Sequence, residues 1–150
     1  MWLMIIALFP LLLAIGVRAE FASDVATALR TAKHLYVATE RADGSRSKVS
    51  PIWFMFDGTA LYFTTVPDSY KAKRTALGRS LHIWVGSESG PYLVGHGEVL
   101  TDPEVAARMA PVYDDKYWIS WLGFFRPRPK RVQAGETVII RVTPAADSFS

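Results

Sequence analysis

The chain has 150 residues, 50% of them hydrophobic, 13% aromatic and 21% charged, with a formal net charge of +3. That length suits one domain with a real core, the composition excludes a disordered chain, and the charge is too small to imply a nucleic-acid partner. There is no cysteine, so disulfides, thiolate catalysis and cysteine-type zinc sites are excluded.

Residues 1–17 (MWLMIIALFPLLLAIGV) carry no charge. A helix of this composition has no polar face and has to be buried in protein or lipid. A full membrane span needs roughly 20 apolar residues, with a lower limit of about 17, so the segment is marginal, and Pro10 would kink it. Three readings stand: a retained anchor with Arg18, Arg30 and Lys33 keeping the domain on the cytoplasmic side, a cleaved signal segment, and a soluble extension or misassigned start. The expected organisation is a hydrophobic segment over residues 1–19 and one domain over residues 20–150. The anchor reading makes the protein membrane-associated; the signal reading makes it exported.

Beyond this segment, Phe21, Val25, Leu29 and Ala32 recur at helical spacing, with Ser23 or Asp24 as the cap. Residues 34–40 (HLYVATE) read as a strand, Asp43-Gly44 as a turn, and residues 48–56 as a returning strand. Pro51 within it places that backbone at an edge, a bulge or a ligand, because proline cannot donate to a ladder. Asp57-Gly58 turns the chain into a strand over residues 61–65. A turn at residues 67–69 leads into a helix ending near Arg79, and a strand follows with Leu81, Ile83 and Val85 on one face and His82 and Trp84 on the other. A fifth strand covers residues 91–100. Asp102-Pro103-Glu104 opens a helix that Pro111 is expected to interrupt. The basic loop over residues 126–131 is expected to stay extended and non-helical, and residues 137–143 form a sixth strand. Six strands joined mostly by hairpins, with short helices in the gaps, predict a mainly β fold, a six-stranded antiparallel barrel of Greek-key type.

The segment at residues 62–74 (YFTTVPDSYKAKR) concentrates the polar chemistry. A strand ends in hydroxyls, a turn supplies Ser69, and a basic helical turn follows. Two readings fit: a phosphate site built from free N–H groups and two lysines, or a solvated basic helix with an ordinary serine cap.

Phe63, Thr64, Ser69, Lys71, Lys73 and Leu81, with the Ser50-Pro51-Ile52-Trp53 strand upstream and Gly97 in the fifth strand, resemble the pyridoxamine 5′-phosphate oxidase-like family of FMN-binding split barrels. The likeness spans about residues 21–145. It implies that Lys71 and Lys73 hold the cofactor phosphate with Thr64, Thr65 and Ser69 beside it. It also implies that the backbone of Val49, Ser50, Pro51, Ile52 and Trp53 lies against the flavin ring, and that the cofactor sits between the subunits of a homodimer. Tyr70 stands where the oxidases proper often carry an arginine, which points to a more distant member acting on another small organic substrate.

Trp84, Trp118 and Trp121 are candidates for a ring or substrate pocket, with core or interface packing as the alternative. His34, His82 and His96 are too scattered for a metal signature; His82 or His96 as a haem ligand is the exception kept open. No catalytic side chain and no metal site is expected. The basic loop has three open roles: a solvated loop, contact with acidic lipid, or a clamp on an anionic ligand tail. The leading expectation is an FMN-dependent oxidoreductase. The alternatives are a deazaflavin-dependent reductase, a non-enzymatic flavin or haem module at the membrane, and a lipid-contacting barrel without a cofactor.

Overall fold

A computed structural model describes residues 20–123 and 125–146. The readings placed on residues 1–17 lie outside these residues; among the described residues, no helix is long and apolar enough to cross a membrane.

One antiparallel sheet contains β1 (Leu35–Thr39), β2 (Ser50–Ile52), β3 (Met55–Phe56), β4 (Leu61–Thr65), β5 (Leu81–Val85), β6 (Tyr92–Leu100) and β7 (Val138–Pro144). Their order is β2-β1-β5-β6-β7-β4-β3. The end strands β2 and β3 are joined through Trp53 and Phe54 alone, about 11 Å of chain at full extension between Ile52 and Met55. The sheet therefore has to curl until its two edges approach, which is a split barrel. This bears out the mainly β antiparallel barrel, with a correction: residues 48–56 are two strands, not one. Ser50–Ile52 pairs with β1 (Val37↔Ser50), whereas Met55–Phe56 pairs with β4 (Met55↔Tyr62), and the break at Trp53-Phe54 lets the backbone change partners. Pro51 faces Tyr36 on an end strand, so its missing N–H costs no ladder bond on the open side.

The sheet has two buried faces. Leu35, Val37, Leu61, Phe63, Leu81, Ile83, Ile140 and Val142 fill the barrel together with Val25 and Leu29 of α1 (Ser23–Thr31). On the outside, Met55, Tyr62 and Ile139 meet Val105, Ala106, Met109 and Tyr113 of α3 (Pro103–Lys116). Alternation along β4 and β7 sends neighbouring residues to different cores, which is why the Val138-Ile139-Ile140 run is apolar throughout.

Helix boundaries bring three further corrections. Neither Ser23 nor Asp24 caps α1; the cap position is Ala22, with no side-chain bond. Pro111 does not interrupt α3. The carbonyl it leaves unpaired is that of exposed Ala107, and the buried stripe continues past the proline to Tyr113. The basic loop is not extended throughout, because Pro129 opens α5 (Pro129–Gln133), a position where proline loses no helical bond, and Val132 is buried beneath it. Two short helices complete the chain, α2 (Tyr70–Ala76) and α4 (Trp118–Trp121).

Candidate functional site

The hydroxyl and lysine cluster forms where β4 turns into α2. The Thr65 hydroxyl donates to Ser69 Oγ at 2.9 Å, and Ser69 Oγ in turn accepts from the Ala72 amide at 3.1 Å. Ser69 is thus the N-cap of α2, as its position predicts. From the first turn of α2, Lys71 Nζ reaches across to donate to Ser50 Oγ at 3.3 Å, tying the helix to edge strand β2. Lys71 makes no ion pair among the described residues, and burial lowers its pKa from the usual lysine value. A half-buried ammonium with only a neutral hydroxyl for company is stabilised by an arriving anion.

α2 can sit this close to the sheet because Gly97 of β6 has no side chain. A Cβ there would lie 2.6 Å from Thr75 Cγ2 and 2.7 Å from Leu81 Cδ1. The glycine therefore governs the depth of the helix that carries Lys71.

Next to this cluster is a cavity of about 310 Å³ lined by Pro51, Ile52, Trp53, Thr64, Tyr113 and Phe125. It adjoins the polar cluster through the chain: Ser50 precedes Pro51, and Thr65 follows Thr64. Its aromatic wall is ordered. Trp53 stacks on Tyr117 at 4.2 Å with the rings 4° from parallel, and Tyr113 and Phe125 meet Trp53 edge-on at 6.3 Å and 5.4 Å. Phe125 takes a φ of 56°, uncommon for a bulky residue, and is 76% exposed.

Polar groups on α3 and just past it hold the backbone behind that wall. The Tyr113 hydroxyl donates to the Trp53 carbonyl at 2.9 Å, and Lys116 Nζ donates to the Phe54 carbonyl at 3.2 Å. The Phe54 amide donates to the Tyr117 hydroxyl at 3.1 Å, while that hydroxyl donates to the Lys33 carbonyl at 2.6 Å. Burial holds the Tyr113 phenol well above the ordinary value and pushes Tyr117 up to about 12. Burial, with Lys33 nearby, pulls Lys116 down to about 8, against the Phe54 ring 3.3 Å below Nζ, which favours the cation.

The structure brings together Ser50, Pro51, Ile52, Trp53, Thr64, Thr65, Ser69 and Lys71, and leaves Val49 half-buried in the loop leading to β2. Lys73 is separate: it lines another cleft with Arg41, Tyr70, Arg74 and Arg79. The expected pair of lysines therefore reduces to Lys71 at this site. With α2 only seven residues long and Ser69 Oγ engaged as its cap, the site's charge is that of the lysine and not of a helix terminus.

Among the described side chains, the tryptophan candidates Trp84 and Trp118 do not line the cavity. Trp84 lies beside Tyr92 and under Arg46 on the outer face of β5, and Trp118 is 76% exposed. The Trp121 side chain lies outside the described residues. His82 Nδ1 lies 2.7 Å from Tyr92 Oη and its Nε2 3.7 Å from Glu40, and burial and Arg46 lower its pKa. His96 is exposed on β6, and no metal-ligand cluster occurs among the described residues. In the basic loop, Arg126 forks onto Asp114 at 3.0 Å, Arg128 donates to the Gly123 carbonyl at 3.0 Å, and Arg131 pairs with Glu136 at 3.2 Å.

Residues that sequence reasoning missed are Tyr113, Lys116, Tyr117 and Phe125. The helical spacing of Tyr113 and Tyr117, four apart and both just past Pro111, was the available signal.

A curled antiparallel barrel, with a lysine and hydroxyls at one end of an edge-strand cleft and stacked aromatics at the other, defines the split-barrel class. The model of the pyridoxamine 5′-phosphate oxidase family matches residues 21–147, and the chain belongs to that family. Among solved structures it is similar to an F420 reductase, with 24% identity and a TM-score of 0.55 over 80% of this chain and 92% of that one. It is also similar to general stress protein 26 from Bacillus anthracis, with 18% identity and a TM-score of 0.58 over 81% and 86% of the two chains. An FAD- and haem-binding protein from Mycobacterium smegmatis is 16% identical, with a TM-score of 0.57 over 87% and 70%. At these identities the structural likeness establishes the fold. No curated protein matches the chain.

Proposed function

We propose that the protein binds a flavin-type cofactor, FMN, in the cleft between β2, α2 and α3, and acts as an oxidoreductase on a small organic substrate. The observation that carries this reading is the pairing of two chemistries in one cleft. The half-buried, carboxylate-free Lys71 suits a phosphate, and the cavity of about 310 Å³ walled by Trp53 and Tyr113 suits part of a flat ring system. Lys71, Ser69, Thr65 and Ser50 would hold the phosphate. The Pro51–Trp53 backbone would lie along the ring, and Pro51, lacking an N–H, leaves no unsatisfied donor facing it. When bound, the cofactor supplies electron or hydride transfer, and the protein supplies binding, orientation and exclusion of water. No catalytic nucleophile is then required, and none is assigned.

A homodimer with the cofactor between subunits belongs to the same reading. It is supported by Phe125, which walls the cavity yet leaves most of its own surface uncovered, with Trp118 and Leu122 exposed nearby in sequence. A deazaflavin in place of FMN is the second reading, favoured by the likeness to a protein named an F420 reductase and by the cationic cleft at Arg126, Arg128, Lys130 and Arg131.

The visible spectrum of the purified protein, alone and titrated with FMN and with a deazaflavin, tests both readings. Saturable FMN binding followed by turnover with a nicotinamide donor supports the first. A colourless protein that binds neither cofactor refutes both.

A further inference from the structure

The weak point of this barrel is its seam. Trp53 and Phe54 leave the ladder with β1 and have not yet joined the ladder with β4, so neither residue belongs to a strand. Phe54 is nonetheless fully buried, and buried peptide groups need partners. These come from the C-terminal end of α3 and the residue after it, sixty positions along the chain: Tyr113 on the Trp53 carbonyl, Lys116 on the Phe54 carbonyl and Tyr117 on the Phe54 amide. The Tyr117 hydroxyl also donates to the Lys33 carbonyl, just ahead of β1. The same Tyr117 ring stacks on Trp53, whose own side chain walls the cavity. One cluster therefore fixes the seam backbone, the orientation of the Trp53 ring, and the distance from β2 to the start of β1.

We propose that Tyr113, Lys116 and Tyr117 act as positioning residues that clamp the β2–β3 seam and so set where the cofactor ring lies against Pro51–Trp53. This rests on the proposed cofactor reading for its ligand, but the clamp itself can be measured without any ligand.

Two conservative variants test it. Tyr117→Phe keeps the stack on Trp53 and removes the hydroxyl that serves the Phe54 amide; Tyr113→Phe removes only the donor to Trp53. In the ligand-free protein, Tyr117→Phe is expected to speed hydrogen exchange of the Phe54 amide about tenfold, the loss of one buried hydrogen bond. In FMN titrations, each variant is expected to weaken binding by about fivefold to tenfold and to shift the visible band of bound FMN, which a purely global loss of stability would not do. Lys71→Ala, by contrast, should weaken FMN binding without changing exchange at Phe54.

Wild-type exchange at Phe54 in Tyr117→Phe overturns the clamp. Faster exchange with unchanged FMN affinity and an unchanged band in both variants overturns the positioning role and leaves a structural clamp. A wild-type protein that ignores FMN overturns the cofactor reading and the positioning role with it, while exchange at Phe54 still decides the clamp.

Discussion

The two ends of the cleft are built in opposite ways. At the polar end, Thr65, Ser69 and Lys71 lie within seven residues of one another, and short-range hydrogen bonds of 2.9 and 3.1 Å shape the turn. At the aromatic end, Trp53 depends on Tyr113, Lys116 and Tyr117, reached only after the chain has traversed four more strands. The local end supplies charge and hydroxyls. The distant end supplies shape and a fixed backbone. A cleft made this way can keep its lysine and hydroxyls while its aromatic wall changes, because different segments carry the two.

Substitutions at the polar end should have the largest effect on binding and little on stability. Lys71→Ala removes a charge-assisted bond to the proposed phosphate, and FMN affinity is expected to fall by about 2 kcal/mol, roughly thirtyfold. Lys73→Ala, in its separate cleft, should change affinity less than about twofold. Calorimetric titration of both variants breaks the comparison if the two lysines prove equivalent.

Gly97→Ala acts on the same end indirectly. Its Cβ would collide with Thr75 and Leu81, so α2 has to lift or the core has to shift. A loss of about 1–3 kcal/mol in unfolding free energy is expected by denaturant titration, accompanied by weaker FMN binding because Lys71 moves with the helix. Stability lost with FMN affinity unchanged would show that Lys71 does not depend on the depth of α2.

The smallest effect expected is a pH signature of the distant end. Lys116 has its pKa lowered to about 8 in the fold, against an ordinary value of 10.5, so between these values the unfolded chain binds more protons and stability rises with pH. Tyr117 is raised to about 12 from 10, so above about pH 10 the folded state holds more protons and stability falls. The contribution of this cluster should therefore rise from about pH 8 to 10 and then decline. Lys116→Met should flatten the rising limb, by under about 1 kcal/mol because the amine is only half-buried and solvent screens the rest. Chemical denaturation at a series of alkaline pH values measures this. An unchanged rising limb in Lys116→Met would assign it to another group.

Much of the fold is written in local pattern. The alternation in Leu81–Val85, the turn at Asp57-Gly58 and the caps at Ser69 and Asp102 all form as their residue types dictate, because each depends on neighbours a few positions away. Local rules fail where burial overrides them. Pro111 stays inside α3 because a buried stripe runs on both sides of it, and Lys48 to Phe56 divides into two strands because its halves find different partners. Similarly, the paired lysines of the sequence motif part company in the fold, since positions two apart on a helix face different ways.

By itself, the sequence determined the antiparallel barrel and the strand–turn–helix segment with its capping serine and the two lysines that follow it. These follow from periodicity and turn chemistry, which act over a few residues. Only the tertiary structure decided that Lys71 rather than Lys73 faces Ser50, that Trp53 rather than Trp84 or Trp118 walls the cavity, and that Tyr113, Lys116 and Tyr117 hold the seam. Those outcomes depend on closing a seven-stranded sheet and packing α3 outside it, and sheet closure sets distances between residues that the chain keeps far apart.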